Sequence, residues 1–247
     1  MKLAISPVLA AYLGGGHRKV EGWLDEHSAR MIAGLSLFQQ HQRLSGSVGE
    51  IGVHHGRLFI ILGLTRDAHE QLFAIDVFEK QELNLDRSGN GSRAHFLENL
   101  RGHGVSPESV TMLTGDSREI QGNHLRSQVG PVRLMSIDGG HTEECVRHDL
   151  QLAEEVIADH GVLILDDVFN STWPAVVTAY ARHLAEQPRT VPFATSPNKV
   201  YACRPAFVAI YQTFLRQAFG RIFDRSDRFF DFGIDGYGMW PKRTILG

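Results

Sequence analysis

The sequence predicts a doubly wound, mostly parallel α/β sheet preceded by a helical N-terminal extension. Short apolar runs alternate with helical segments from Gly46 onward, and that alternation marks a parallel sheet covered on both faces. Some of these runs, such as "VLIL" before Asp166, are apolar throughout, as buried strands are. Acids and glycines then fall at the carboxyl ends of successive runs, the edge at which open α/β sheets bind their ligands.

The elements follow in chain order. "MKLAISPVLAAYLGGGHRKVEGW" holds a short apolar stretch broken by Pro7 and preceded by a single lysine. It reads as a docking segment rather than a secretion signal. Glu21 to Gln42 predicts a helix, with Trp23, Leu24, Met31, Ile32, Leu35 and Phe38 near helical spacing. Strands are expected at Val48–Val53, Leu72–Ile75, Val110–Leu113, Val132–Ile137 and Val162–Leu165, with helices at Leu58–Leu64, Arg93–Arg101 and Thr142–Ala158. The last of these helices has Thr142 as its N-cap, with Glu143 and Glu144 on its positive end. Val146, Leu150, Ala153 and Ile157 give it an apolar stripe, and His160-Gly161 is expected to close it. A helix from Trp173-Pro174 to Leu184, a strand at Val200–Cys203, a helix from Phe207 to Phe219 and an aromatic-rich tail complete the chain. Residues 1–45 form the extension and 46–247 the α/β unit, in what reads as one structural domain.

Composition narrows the function. Apolar residues make up 43% and charged residues 21%, the balance of an ordinary soluble globular protein. A net charge of -3 with scattered Lys and Arg gives no basic arm, so neither nucleic acid nor an anionic membrane is an expected partner. No run approaches the length of a membrane span. Cys145 and Cys203 lie far apart and read as buried reduced thiols of a cytoplasmic protein. "FVAIYQTFLRQAFGRIF" carries more apolar surface than one helix normally hides, which points to a homo-oligomer, a dimer being the commonest case.

Four motifs carry chemistry. In "GEIGVHHGRLFIIL", Glu50, Gly52 and Gly56 lack the G-x-G-x-x-G spacing of a dinucleotide site. The two glycines allow close backbone approach, and a buried Glu50 needs a cationic or donor partner. A tight β–α turn with a solvated Glu is the alternative. Asp76 ends the next strand 24 residues after Gly52, at the place of a ribose-binding acid or of a plain helix cap. Asp116 and Ser117 follow the third strand, to contact an adenine or to start a turn. Finally, Asp138, Asp166 and Asp167 end two strands expected to share one edge. Three converging carboxylates repel one another, and a hard divalent cation such as Mg²⁺ resolves that, unless they are loop acids in water.

In this order, Glu50-Ile-Gly-Val-His-His-Gly56, Asp76, Gly115-Asp-Ser117, Asp138-Gly-Gly-His141 and Asp166-Asp167 resemble a class I S-adenosylmethionine-dependent methyltransferase. More narrowly, they resemble the metal-dependent O-methyltransferases typified by macrocin O-methyltransferase and related sugar-modifying enzymes. The resemblance covers about Val20 to Leu184, and "DVFEKQELNLDRSGNGS" is similar to that group's cofactor-side loop. Its most specific item is the separation of 28 and 29 residues between Asp138 and the acid pair. The glycine motif departs from the commoner form in holding His54 and His55, a variant that fits the sugar-modifying branch.

The resemblance implies a Rossmann-like methyltransferase fold. It implies cofactor contacts from Glu50, Gly52, Val53, Gly56, Asp76, Asp116, Ser117 and Asp138, and Mg²⁺ ligands in Asp138, Asp166 and Asp167. His141 stands at the position of the group's catalytic base. The expected reaction is methyl transfer from S-adenosylmethionine to a hydroxyl of a small-molecule or oligosaccharide acceptor. A catechol or phenol acceptor is the runner-up. A nicotinamide-dependent oxidoreductase and a non-catalytic cofactor-binding protein leave the acid set unexplained or unused. His54 and His55 rank below His141 as bases, and Trp23, Trp173 and Tyr201 are candidates for stacking on a sugar or the adenine.

Overall fold

The computed structural model describes residues 3–239; the end of the aromatic-rich tail lies outside the described residues. The elements are α1 (Pro7–Leu13), α2 (Glu26–His41), β1 (Ser47–Ile51), α3 (Phe59–Thr65), β2 (Leu72–Asp76), α4 (Arg93–Gly102), β3 (Val110–Thr114), α5 (Gly122–Val129) and β4 (Val132–Ile137). There follow α6 (Glu143–Val156), β5 (Ile157–Leu165), α7 (Pro174–Ala185), β6 (Val191–Ser196), β7 (Lys199–Cys203), α8 (Val208–Phe219), β8 (Phe223–Phe229) and β9 (Phe232–Tyr237).

The strands form one sheet in the order β3-β2-β1-β4-β5-β7-β6-β9-β8. The first five are parallel, β7 is antiparallel to both β5 and β6, β9 is parallel to β6, and β8 is antiparallel to β9. Chain direction across the sheet reverses between β1 and β4, which opens a crevice at their carboxyl ends. The register then fixes the chemistry. Ile51 lies opposite both Ile75 and Ile137, and Ile137 lies opposite Leu165. The residues that follow, Gly52, Asp76, Asp138 and Asp166, therefore leave the sheet in a row.

Alternation along the strands splits the core in two. Leu134, Val162 and Ile164 join Val48 in a cluster with residues of α1, α2, α3 and α8. Met135, Ile137, Leu163 and Leu165 pack on the other face against α5, α6 and α7. Leu9, Tyr12 and Met31 belong to the first cluster, so the N-terminal extension shares its core with the sheet.

Several boundaries differ from the sequence expectation. The N-terminal segment forms two helices, and α2 begins at Glu26 rather than Glu21. The Asp25 carboxylate accepts from the His27 and Ser28 amides at 2.9 Å, which sets the start. The helix α6 stops at Val156 and β5 starts at once, so His160-Gly161 lies inside the strand rather than closing the helix. A Cβ on Gly161 would come within 2.7 Å of the Val132 carbonyl, where the β4–β5 register shifts. The helix α5 escapes the sequence reading because it is polar, with only Gly122, Leu125 and Val129 buried. Both β6 and the β8–β9 hairpin were also unforeseen: β6 carries Pro192, and β8, "FDRSDRF", is mostly exposed. Much of the apolar surface of α8 is spent internally. Tyr211, Phe214 and Leu215 are buried, Phe219 packs on Gly34 of α2, and Ile210 is left exposed. Cys145 and Cys203 are both buried. Among the described residues no helix is long and apolar enough to cross a membrane.

Candidate active site

The row of strand ends opens on a cleft of about 540 Å³, the size of a small-molecule site. The chain between β2 and α4 folds over it, and the N-terminal Trp23–Asp25 and the β6–β7 turn close its sides. Asp76, Asp116, Ser117, Asp138, His141, Asp166 and Asp167 all line it.

His141 sits deepest in the chemistry. Gly139 and Gly140 follow Asp138, and Asp149 and Cys145 lie close to where their Cβ atoms would be. The imidazole stacks on Trp173, with ring centroids 4.5 Å apart and planes 10° from parallel. Asp86 accepts from the His141 backbone amide and lies 3.0 Å from Nδ1. Nε2 lies 2.8 Å from Asp167 Oδ2, an ion-pair contact rather than an aligned hydrogen bond. Burial alone would lower the imidazole, but the Asp167 and Asp86 carboxylates, with Asp138, raise it to about 10. Conversely, burial would raise the Asp167 carboxyl, and contacts from His141, Asn170 and Asn198 bring it down to about 2.

The acids at the end of β5 part company. Asp167 takes a left-handed backbone, φ 60°, a conformation rare outside glycine. Its carboxylate meets His141, Asn170 and Asn198, whereas Asp166 pairs with Lys199 Nζ. Burial and the Asp166 charge push the Asp138 carboxyl well above the usual range. Donor atoms of Asp138, His141 and Asp167 lie within 4.8 Å of one another, the spacing of a metal site. Asp138 and Asp167 thus fit a hard cation, while Asp166 does not as long as Lys199 holds it. The third member of the group is an imidazole, which hard Mg²⁺ disfavours relative to oxygen.

The other half of the cleft is built for hydrogen bonding. Asp76 accepts from the backbone amides of His54 at 2.8 Å and Phe78 at 2.6 Å, and the residue lines the cavity. Burial raises its carboxyl, offset in part by those amides. Asp116 is gripped by Arg118, at 2.6 Å from Nη2, which holds its carboxyl low.

The glycine motif is packed closely into the scaffold. A Cβ on Gly52 would lie 1.7 Å from the Asp138 carbonyl oxygen, so its close approach is to the neighbouring strand end. Gly56 packs on Phe96, and Val53 is buried. Glu50 is 2% exposed with Oε2 unpartnered, and burial raises its carboxyl to about 8 despite the charge of Lys199. Glu50, Val53 and Gly56 therefore stand behind the cavity wall, while Gly52 and His54 line it. His55 is buried and stacks on His54 at 3.9 Å.

Asp86, Asn198 and Lys199 are site residues that the sequence reading missed. Asp86 lies in a loop without periodicity. Lys199 heads the strand "KVYAC", one residue before its expected start at Val200.

Residues 50–168 match the methyltransferase domain family. No curated protein sequence matches the chain. Solved structures with the same architecture include the O-methyltransferase NovP, 18% identical over 71% of this chain and 79% of that one, with a TM-score of 0.60. CalS11, described as a TDP-rhamnose 3'-O-methyltransferase of calicheamicin biosynthesis, is 17% identical over 82% and 97%, with a TM-score of 0.53. The S-adenosylhomocysteine-bound methyltransferase PaMTH1 of Podospora anserina is 18% identical over 81% and 88%, with a TM-score of 0.54. On that architecture, the chain has the Rossmann-like fold of class I methyltransferases, and its residues 50–168 are similar to the methyltransferase domain family.

Proposed function

We propose that the protein is an S-adenosylmethionine-dependent O-methyltransferase acting on a hydroxyl of a saccharide or glycosylated metabolite, with His141 as general base. The observation that carries this reading is the state of His141. Its Nδ1 is anchored by Asp86, while Nε2 is buried in the cavity wall without an aligned hydrogen-bond partner. The cofactor half of the cleft fits S-adenosylmethionine, since Asp76 offers a carboxylate to ribose hydroxyls and Asp116 and Ser117 lie beyond it. CalS11, by its description a sugar methyltransferase, and PaMTH1, which binds S-adenosylhomocysteine, point the same way.

When bound, S-adenosylmethionine supplies a methyl group on a sulfonium, which becomes a neutral thioether as the carbon–sulfur bond gives way to the new carbon–oxygen bond. The chain's part is geometry and the proton. An acceptor hydroxyl entering the cleft donates to His141 Nε2 in place of the Asp167 contact. Losing that contact removes a main cause of the raised imidazole, so Nε2 becomes free to take the hydroxyl proton. Asp86 keeps the ring oriented throughout, as the buried acid does in a hydrolase triad. Trp23, 77% exposed at the mouth, and Trp173 beside His141 give a cyclic acceptor two flat surfaces.

A second reading keeps Mg²⁺ on Asp138 and Asp167, which stand at ligand spacing. A bound divalent ion would favour the ionised acceptor oxygen. One assay tests both readings: S-adenosylmethionine is incubated with panels of glycosides and catechols, with and without EDTA, and products are read by mass. Methylated glycosides support the proposal, and catechol-only turnover moves the acceptor to the runner-up class. Methyl transfer to neither panel, from protein that binds the cofactor, would sink the acceptor assignment. Turnover abolished by EDTA and restored by Mg²⁺ would establish the second reading.

A further inference from the structure

Lys199 has 3% of its side chain exposed, a burial that lysines rarely adopt without a counter-charge. The sheet fixes its place. Because β7 runs antiparallel to β5 with Val200 opposite Leu165, the next pair along is Lys199 and Asp166. The turn that delivers it is tight, with Asn198 in the left-handed region at φ 66°. Asn198 Nδ2 donates to Asp166 and Asp167, and Lys199 Nζ donates to Asp166 Oδ2 on the wall of the cleft that holds His141. A fixed positive charge thus stands where a row of three acids calls for a cation.

Resting on the O-methyltransferase reading, we propose that Lys199 takes the place of a divalent metal, so that its ion pair with Asp166 is the site's built-in cation and methyl transfer needs no Mg²⁺. An ammonium is a compact charge with three donors. Asp166 uses one, and the others are left to steer an acceptor oxygen toward His141. A divalent ion on Asp166 would have to displace that ammonium. The displaced group would stay buried a few ångströms away and repel the ion, because a β-strand and its register hold it there. Asp167 is likewise met by His141, so each acid of the pair already has a cationic neighbour from the chain itself.

The test titrates Mn²⁺, a paramagnetic stand-in that shares the oxygen preference of Mg²⁺, into protein with S-adenosylhomocysteine present. Free Mn²⁺ is read by electron paramagnetic resonance, and S-adenosylhomocysteine binding is followed in parallel by calorimetry. The expected wild type binds S-adenosylhomocysteine and takes up no Mn²⁺ at about millimolar concentration. Lys199→Met, with Asp166 released, gains a site at least about tenfold tighter than wild type. Tight Mn²⁺ uptake by the wild type overturns the proposal, as does a folded Lys199→Met that gains none. In either case intact S-adenosylhomocysteine binding leaves the methyltransferase reading standing, whereas its absence fails that reading instead. Lys199→Met leaves a buried carboxylate unpaired and is the variant at risk of misfolding. Should it misfold, Lys199→Met combined with Asp166→Asn removes both charges and is expected to bind no Mn²⁺, and the wild-type titration decides.

Discussion

His141 gathers most of the chemistry into one side chain, and its neighbours set what it can do. In the free site the Asp167 and Asp86 carboxylates hold the imidazole protonated up to about pH 10, against the effect of burial. A base must be neutral to act, so kcat/KM is expected to rise with pH through that range and then level. Asp86→Asn removes one of the three carboxylates that raise the ring. The rising limb should therefore move to lower pH, by about one unit, and kcat should drop on the order of 10²-fold because the ring loses its anchor. A pH profile of kcat/KM checks this, and an unmoved limb would mean that Asp86 does not act through His141. At this scale the sequence was partly legible. His141 stands three residues beyond a strand-end acid and at the place of the base in the family that the sequence resembles. Asp86 was not legible, since 55 residues separate it from its partner and nothing local in "LDRSGN" marks it.

At the scale of elements, the site is a consequence of strand register. Gly52 shows how tight that dependence is. It has φ 81°, and a Cβ there would overlap the Asp138 carbonyl at 1.7 Å. Gly52→Ala should cost about 3 kcal/mol or more in chemical denaturation, because it combines backbone strain with a collision between two strand ends. A loss below about 1 kcal/mol would show that the β1–β4 crossing is looser than described. The parallel strands were readable because burial on both faces makes them apolar runs. The antiparallel half was less readable: β6 carries a proline and β8 faces solvent, so neither shows a clean period. That gap hid the β6–β7 turn, and with it Lys199. In the sequence alone Asp166 and Asp167 look equivalent as metal ligands, since only the turn reveals that Asp166 has a cation of its own.

At the scale of the whole molecule, one sheet edge collects contributions from the length of the chain. Trp23 comes from the N-terminal segment, Trp173 from just before α7 and Lys199 from the antiparallel hairpin, while Asp86 reaches His141 from the covering loop. The fold class and the row of strand-end acids followed from alternation alone, because they depend on burial, which composition reports. The closure of the cleft did not, since loops and turns obey no period. The central claim is that this edge binds S-adenosylmethionine, and the most direct measurement is a calorimetric titration of S-adenosylhomocysteine into the folded protein, with NAD as control. Binding at about micromolar affinity for S-adenosylhomocysteine alone, lost in Asp76→Ala, is the predicted result. Binding of NAD, or of neither ligand by folded protein, would contradict the account.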